Sequence, residues 1–232
     1  MKNKNLTIIV PALNEEKNLN KVVRELISIA DQFLSKYEIL IYDDGSTDKT
    51  LEIAKNLGVE FKNVKVYANK VPLELARIFK LGIKNAAYEN IILIPGDGAF
   101  ENLSLVNVFK SIGLKDMILT SRVNQSITRS KLRYLLAKLF FIFNKNIFNL
   151  KVKDINSIAV FPTNELKKIN IISFNKGFNL EFLVKLTRKK LSYMIVDVRL
   201  NHEKHVVGKS LNIYFILDVV ILMFYLTFIK RH

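Results

Sequence analysis

The sequence contains no cysteine. That excludes a disulfide framework and thiolate chemistry, and it is compatible with a reducing compartment. Zinc-finger spacing, an RNP-type aromatic strand motif and an Arg-rich arm are all missing, which argues against a nucleic-acid partner. A secretory leader pattern is not visible either. The apolar run Leu6 to Leu13 is short, broken by Pro11, and followed at once by Glu15 and Glu16. Repeats, low-complexity tracts and linker-like stretches are also lacking. What is present is a chain of 232 residues, 50% hydrophobic, so it is not a disordered chain. That length suits one domain of ordinary size with a full core, plus a small appendage. The net charge of +15 fits either a solvated basic surface or attraction to phosphates or a cytoplasmic membrane face.

Strand and helix signals alternate through the first half. Leu6 to Val10 reads as a strand, and Leu19, Val22, Val23, Leu26, Ile27, Ala30 and Phe33 recur at helical spacing. Tyr37 to Tyr42 is a second strand; Ser46 or Thr47 is positioned to cap a helix over Leu51 to Leu57, which Gly58 would stop. Val64 to Tyr67, helical Leu73 to Ala87 and the strand Ile91 to Ile94 follow. This rhythm predicts a parallel sheet with helices on both faces, and ligands of such sheets bind beyond the carboxyl ends of the strands. Asn14, Asp43, Asp44 and Asp97 all fall at such ends. The second half is less regular. Met117 to Thr120, Ile155 to Phe161 and Tyr193 to Leu200 read as strands, and Arg129 to Phe148 and Phe178 to Lys190 as helices.

The loop "YDDGSTDKT" (Tyr42 to Thr50) sets two carboxylates, a glycine and hydroxyls between a strand and a helix. A carboxylate there can accept from a nucleobase N–H or a ribose hydroxyl, and Gly45 permits close backbone approach. A plain capping loop accounts for Ser46 to Asp48 but not for the doubled Asp43-Asp44. Further on, "IPGDGAF" (Ile94 to Phe100) puts Asp97 between two glycines, either as a metal or diphosphate ligand or as a turn residue.

"TIIVPALNEEKNL" followed by "EILIYDDGSTDKT" resembles family 2 glycosyltransferases of the GT-A fold. It is most similar to the dolichyl-phosphate mannose synthase and polyprenyl-phosphate glycosyltransferase branch. The resemblance implies an α/β fold with a Rossmann-like mixed sheet flanked by helices, over residues 1–210. It implies that Pro11, Ala12, Asn14, Glu15 and Ser46 line a nucleotide pocket, that Asp44 contacts the base or ribose, and that Asp43 is its neighbour. The family's glycine-rich segment is replaced here by "NKVPLELARIFKLG", where Ala76, Lys80 and Gly82 are retained; Lys80 is the candidate for substrate contact. The D-x-D pattern after the fourth strand has Pro95 in place of its first carboxylate, Asp97 as its second, and Ala99 where glutamine is common. Mg²⁺ or Mn²⁺ can be held by one carboxylate when the donor diphosphate completes the shell. Asp97 is therefore the expected metal ligand and catalytic residue.

In the second half, "TSR" resembles the family's G-S-R, which implies that Arg122 holds a phosphate, and "VKDINSIAVF" resembles its D-x-x-S-G-F-K segment, of which Asp154 and Ser157 are retained. Glu181, in "GFNLEFLVKL", is a candidate acceptor-orienting residue or base, or else a helix-packing acid. "NHEKHVVGKS" resembles H-x-x-R-x-x-G-K-S, with His205 where arginine is usual; His205 and Lys209 are candidates for the diphosphate, and His205 for the metal. Residues 211–232 are apolar from Leu211 to Ile229, interrupted by Asn212 and Asp218 and closed by Lys230-Arg231. This run is a marginal length for a bilayer, so it reads as an interfacial helix, a span, or a helix buried against the domain or a partner.

The resemblance implies inverting transfer from a UDP-, GDP- or dTDP-linked sugar to a polyprenyl phosphate or glycolipid at the cytoplasmic membrane face. A phosphate acceptor needs no base; a hydroxyl acceptor in surface polysaccharide synthesis would, and Glu181 would then be the first suspect. A non-catalytic protein that binds a membrane or partner is the rival from another class.

Overall fold

Period-two alternation along the strands divides the core into two. Leu6, Ile8 and Val10 face one side of the sheet with Ile39, Ile41 and Ile92, while Ile9, Leu40, Tyr42, Ile91 and Leu93 face the other. Every strand that reads as a continuous apolar run is thus buried on both faces, as a helix-covered sheet requires. The computed structural model describes residues 4–124, 131–148, 150, 152, 154–173, 177–201 and 213–228.

The strands are β1 (Asn5–Ala12), β2 (Lys36–Asp43), β3 (Val64–Ala68), β4 (Asn90–Leu93), β5 (Met117–Arg122), β6 (Ala159–Pro162) and β7 (Tyr193–Val198). They form one seven-stranded sheet in the order β3-β2-β1-β4-β6-β5-β7. β1 to β4 are parallel, as the alternating first half predicts. β6 lies antiparallel between β4 and β5, and β7 runs parallel to β5 at the far edge. The sheet is therefore mixed.

Helices α1 (Leu19–Phe33), α2 (Thr50–Glu60) and α4 (Asn102–Ser111) cover one face. Helices α3 (Leu75–Asn85), α6 (Thr163–Lys167), α7 (Phe178–Arg188) and α8 (Ile213–Phe228) lie on the other. Helix α5 spans Lys131–Phe148. Two glycines act through packing. A Cβ on Gly82 would stand 2.1 Å from Ile9 Cδ1, so α3 lies directly on β1. Gly58 does not end α2, which runs on to Glu60; a Cβ there would meet Val66 Cγ2 at 3.1 Å, so the residue serves close packing on β3 instead.

Helix α8 turns Leu222, Met223 and Leu226 inward and leaves Ile221, Phe224 and Phe228 exposed, Phe224 by 67%. Its inner face is tied to α7, where the Arg188 guanidinium donates to the Leu226 carbonyl at 2.7 Å. Among the described residues, no helix is long and apolar enough to cross a membrane.

Candidate active site at the carboxyl ends of the strands

The carboxyl ends of β1, β2 and β4 meet at one rim of the sheet, and backbone bonds fasten them together. The Asp44 amide donates to the Ala12 carbonyl at 2.8 Å, and the Gly96 amide donates to the Pro11 carbonyl at 3.0 Å. Gly96 is packed tightly there, since a Cβ would meet that same carbonyl at 3.2 Å. Pro11 and Ala12 thus contribute to the rim through their main-chain oxygens.

The loops after β1 and β2 are zipped to each other. Asn14 adopts φ 57°, a left-handed conformation that asparagine tolerates better than most residues. Its amide donates to Ser46 Oγ at 3.0 Å, and its side-chain oxygen accepts from the Thr47 amide at 2.9 Å. The Glu15 amide donates to Thr50 Oγ1 at 2.7 Å, and the Glu16 amide to Asp48 at 3.2 Å. Burial pushes the Asp48 carboxyl upward, but bonds from Thr50 and the Glu16 amide outweigh it and hold the group below its ordinary value. Ser46 and Thr47 accordingly serve this clamp and do not cap α2; the Thr50 amide at its start donates instead to Asp48 Oδ1 at 2.9 Å. Asn14, Glu15 and Ser46 shape the rim by bracing two loops.

The paired aspartates part company. Asp44 Oδ1 accepts from Asn69 Nδ2 at 3.0 Å and from the Leu73 amide at 2.8 Å, which draws the β3–α3 loop over the rim. Pro72 Cδ lies so close that a Cβ on Gly45 would meet it at 3.3 Å, and Gly45 itself has φ +77°. That loop has lost its early glycines, yet Glu74 takes φ 69° and ψ 149°, a region that glycine occupies almost alone. Asp43 is 1% exposed; its Oδ2 accepts weakly from the Ser46 amide at 3.4 Å, and its Oδ1 has no hydrogen-bond partner. Native structures seldom leave a buried acceptor in that state.

Asp97 sits on the loop after β4, where Gly98 turns with φ 67°. Its Oδ1 accepts from the Ala99 amide at 2.9 Å, which orients the carboxylate. The loop is held from the other end of the chain. Asn201 donates from Nδ2 to the Gly98 carbonyl at 2.7 Å and to that of Phe100 at 3.2 Å, and its amide donates to the Ala99 carbonyl at 2.9 Å. Sequence reasoning missed Asn201; its signal was its place directly after the last strand, in front of His202. His205 and Lys209 lie outside the described residues.

Among the described residues, no group of three His, Cys, Asp or Glu side chains is close enough to hold a metal ion. One carboxylate on a turn is a donor set that fits a hard divalent cation only when substrate oxygens supply most of the shell.

Beyond Pro95 and Ala99 opens a cavity of about 230 Å³. Its hydrocarbon wall includes Leu75, Phe79, Phe100 and Phe178; Arg122, Asn156, Ser157 and Asn179 bring polar groups to it. Arg122 grips Asp154 with two prongs, Nε to Oδ2 at 2.6 Å and Nη2 to Oδ1 at 2.9 Å, and the pair is 11% and 7% exposed. Those two guanidinium nitrogens are therefore committed to a carboxylate rather than open to a phosphate. Ser157 shares a hydrogen bond with Thr120, whose hydroxyl donates to the Ile158 carbonyl at 2.6 Å.

Glu181 is 0% exposed. Its oxygens accept from the Ile172 and Ser173 amides, each at 2.9 Å, and it pairs with Lys185 one turn along the helix. This is the geometry of a packing acid that secures the 172–173 segment. Lys80 lies in the same electrostatic neighbourhood. Burial holds its ammonium below the ordinary range; the Glu181 charge opposes that shift, and Arg77 and Lys185 add to it.

With the geometry in place, comparison with known proteins identifies the arrangement. The model of "Glycosyl transferase family 2" matches residues 7–162. A Methanococcus voltae protein named dolichyl N-acetyl-alpha-D-glucosaminyl phosphate 3-beta-D-2,3-diacetamido-2,3-dideoxy-beta-D-glucuronosyltransferase is 41% identical over 83 residues, 35% of this chain and 25% of that one. A dolichyl-phosphate beta-glucosyltransferase of Trichomonas vaginalis is 28% identical over 144 residues, 57% of this chain and 45% of its own. The matches thus span less than half the length of these curated relatives. Among solved structures, glucosyl-3-phosphoglycerate synthase from Mycobacterium tuberculosis, in complex with Mn²⁺, UDP and glucosyl-3-phosphoglycerate, superposes with a TM-score of 0.67 at 16% identity. That superposition covers 98% of this chain and 81% of the synthase, and it establishes the fold expected from the sequence, a mixed α/β sheet of the GT-A type. Matched along most of its sheet, the chain belongs to glycosyl transferase family 2.

Proposed function

We propose that this protein transfers a sugar from a nucleotide-diphospho-sugar to a polyprenyl phosphate or related lipid-linked acceptor, with inversion at the anomeric carbon. The observation that carries the reading is the rim itself. The carboxylates Asp43, Asp44 and Asp97 stand at the ends of neighbouring parallel strands whose loops are braced by side chains before any ligand arrives. Asp44 and the orphaned Asp43 Oδ1 suit the N–H and O–H donors of a base and ribose. Asp97 would hold Mg²⁺ or Mn²⁺ jointly with the donor diphosphate. When bound, such a cation supplies charge neutralisation for the leaving group. The bond from the acceptor phosphate oxygen to the anomeric carbon forms as the bond to the diphosphate oxygen breaks, and the nucleoside diphosphate leaves with the electron pair.

A phosphate nucleophile is already ionised near neutral pH, so the commitment of both Glu181 oxygens to packing is no obstacle. The same commitment counts against a hydroxyl acceptor that needs Glu181 as base. His205 and Lys209 are proposed to reach the diphosphate. The lipid acceptor is supported by the names of the dolichyl-phosphate relatives and by the exposed apolar face of α8. That face, with the tail's basic end, is proposed to rest on the cytoplasmic membrane surface, while the inner face of α8 stays packed on the core of residues 1–210.

The test is a thermal-shift screen of UDP-, GDP- and dTDP-sugars with and without Mn²⁺, on the wild type and Asp97→Ala. Metal-dependent stabilisation by one donor, lost in the variant, is expected. Its absence for every donor would leave the non-catalytic reading standing. Transfer of label from the stabilising donor to a short polyprenyl phosphate tests the acceptor. Replacing the exposed Ile221, Phe224 and Phe228 by serine, with the buried face of α8 intact, should release the protein from the membrane fraction; unchanged sedimentation would refute attachment through α8.

A further inference from the structure

The Asp97 loop and the segment after β7 make a short ladder of their own. Phe100 pairs with Leu200 in an antiparallel bridge, the Glu101 amide donates to the Arg199 carbonyl at 3.1 Å, and the Asn201 amide donates to the Ala99 carbonyl at 2.9 Å. Main-chain bonds of this kind need no particular side chain. Asn201 adds bonds that do. Its Nδ2 donates to the Gly98 carbonyl at 2.7 Å and to the Phe100 carbonyl at 3.2 Å. The Gly98 carbonyl and the Ala99 amide belong to one planar peptide unit. Asn201 therefore holds the oxygen of the same plane whose N–H donates to Asp97 Oδ1 at 2.9 Å. The three groups lie in series, and each bond in such a chain polarises the next. Gly98, at φ 67°, offers the plane little steric resistance to rotation. A rotated plane would withdraw the N–H from the carboxylate and turn a carbonyl dipole toward it.

We propose that Asn201 is a positioning residue for Asp97, acting through the Gly98–Ala99 peptide. By fixing that plane it fixes the direction in which the carboxylate faces a divalent cation shared with the donor diphosphate. The assignment rests on the nucleotide-sugar reading above and deepens it by naming the residue that aims Asp97. Pro95 stands where the D-x-D pattern has its first carboxylate, so the orientation of Asp97 carries more weight in this chain. Asn124 provides the contrast. It donates to the Leu200 carbonyl at 2.8 Å and accepts from the Leu200 amide at 3.1 Å. It thus braces the same segment through Leu200 rather than through the Gly98–Ala99 peptide.

The experiment measures binding of UDP, GDP and dTDP to the full chain by calorimetry, once with Mn²⁺ and once with EDTA. The proteins are the wild type, Asn201→Ala, Asn201→Leu and Asn124→Ala, and exchange of the Ala99 amide hydrogen is followed by NMR in each without ligand. In the wild type, Mn²⁺ should tighten the best-bound nucleotide. Asn201→Ala should cut that gain about tenfold, the lower end for loss of a group that orients a metal ligand, while affinity in EDTA stays within about twofold. It should also speed Ala99 exchange. Asn201→Leu keeps the branched shape without the donor and should act in the same way, should the alanine variant prove too unstable to assay. Asn124→Ala should lower the melting temperature and leave the Mn²⁺ gain intact, which separates aiming from bracing. A gain that survives in the Asn201 variants overturns the inference, as does an equal fall in Asn124→Ala or in EDTA. If Mn²⁺ tightens no nucleotide on the wild type, the underlying reading fails instead, and Ala99 exchange alone decides whether Asn201 holds the peptide.

Discussion

Replacing Glu181 by glutamine separates a packing role from a catalytic one. In the wild type, one buried carboxylate satisfies the amides of Ile172 and Ser173 and neutralises Lys185, whose side chain is 16% exposed. Glutamine offers a single acceptor oxygen and turns an N–H₂ toward groups that are themselves donors. At least one buried amide then goes unpaired, at about 1–3 kcal/mol, and the charge-assisted bond to Lys185 is lost, at about 1.5–3 kcal/mol. The expected total is about 3–5 kcal/mol, the range for breaking one partner of a buried pair. For a chain of this size that lowers the melting temperature by about 6–20 °C. Equilibrium urea unfolding reads the first quantity and calorimetry the second. Turnover of the stabilising donor, assayed well below the melting range, should fall less than about tenfold per folded molecule. Loss of a general base would cost about 10²–10⁴-fold. Stability unchanged within about 1 kcal/mol together with a hundredfold fall in kcat would refute the packing assignment. Lys185→Met should destabilise in the same direction, and the double variant should lose less than the sum of the singles.

Burial raises the Tyr42 phenol to about 12; the bond from Asn85 works against the shift and the Tyr67 ring adds to it. A folded pKa above the unfolded value of about 10 means stability that is complete below pH about 10 and disappears as pH climbs toward about 12. Unfolding midpoints across that range should fall more steeply for the wild type than for Tyr42→Phe. Asp154→Ala removes the two-pronged partner of the Arg122 guanidinium, so urea unfolding should register a loss of about 3–5 kcal/mol. Arg122→Lys, which lacks the two-pronged geometry, should lose part of that. Glu74→Gly should stabilise the protein by about 1 kcal/mol in thermal melts, because relief of a conformation costing about 1–3 kcal/mol exceeds the added chain entropy.

Some of this architecture could be read directly from the chain. β1, β2 and β4 declare themselves as apolar runs, and the residues at their ends follow at once, so the positions of Asp43, Asp44 and Asp97 on one rim were legible. The direction of β6 was not legible, because an antiparallel strand between two others is decided by pairing partners far along the chain. The same holds for the partners of the candidate site residues. Asp44 meets Asn69 across 25 residues, Arg122 meets Asp154 across 32, and Gly98 meets Asn201 across 103. Gly58 shows how a local rule yields to packing: its chain neighbours suggest a stop, while α2 runs on past it and Val66 leaves little room for a side chain there.

The hold of Asn201 on the Asp97 loop gives the site a timetable. A ribosome adds about 5–20 residues per second, so the loop emerges about 5–20 s before the residue that fastens it. The rim around Asp43 and Asp44 can close on its own strands early, since its partners lie within the first part of the chain. The half that carries Asp97 is completed last, and a nascent chain fixes the loops after β1 and β2 before it fixes the loop after β4.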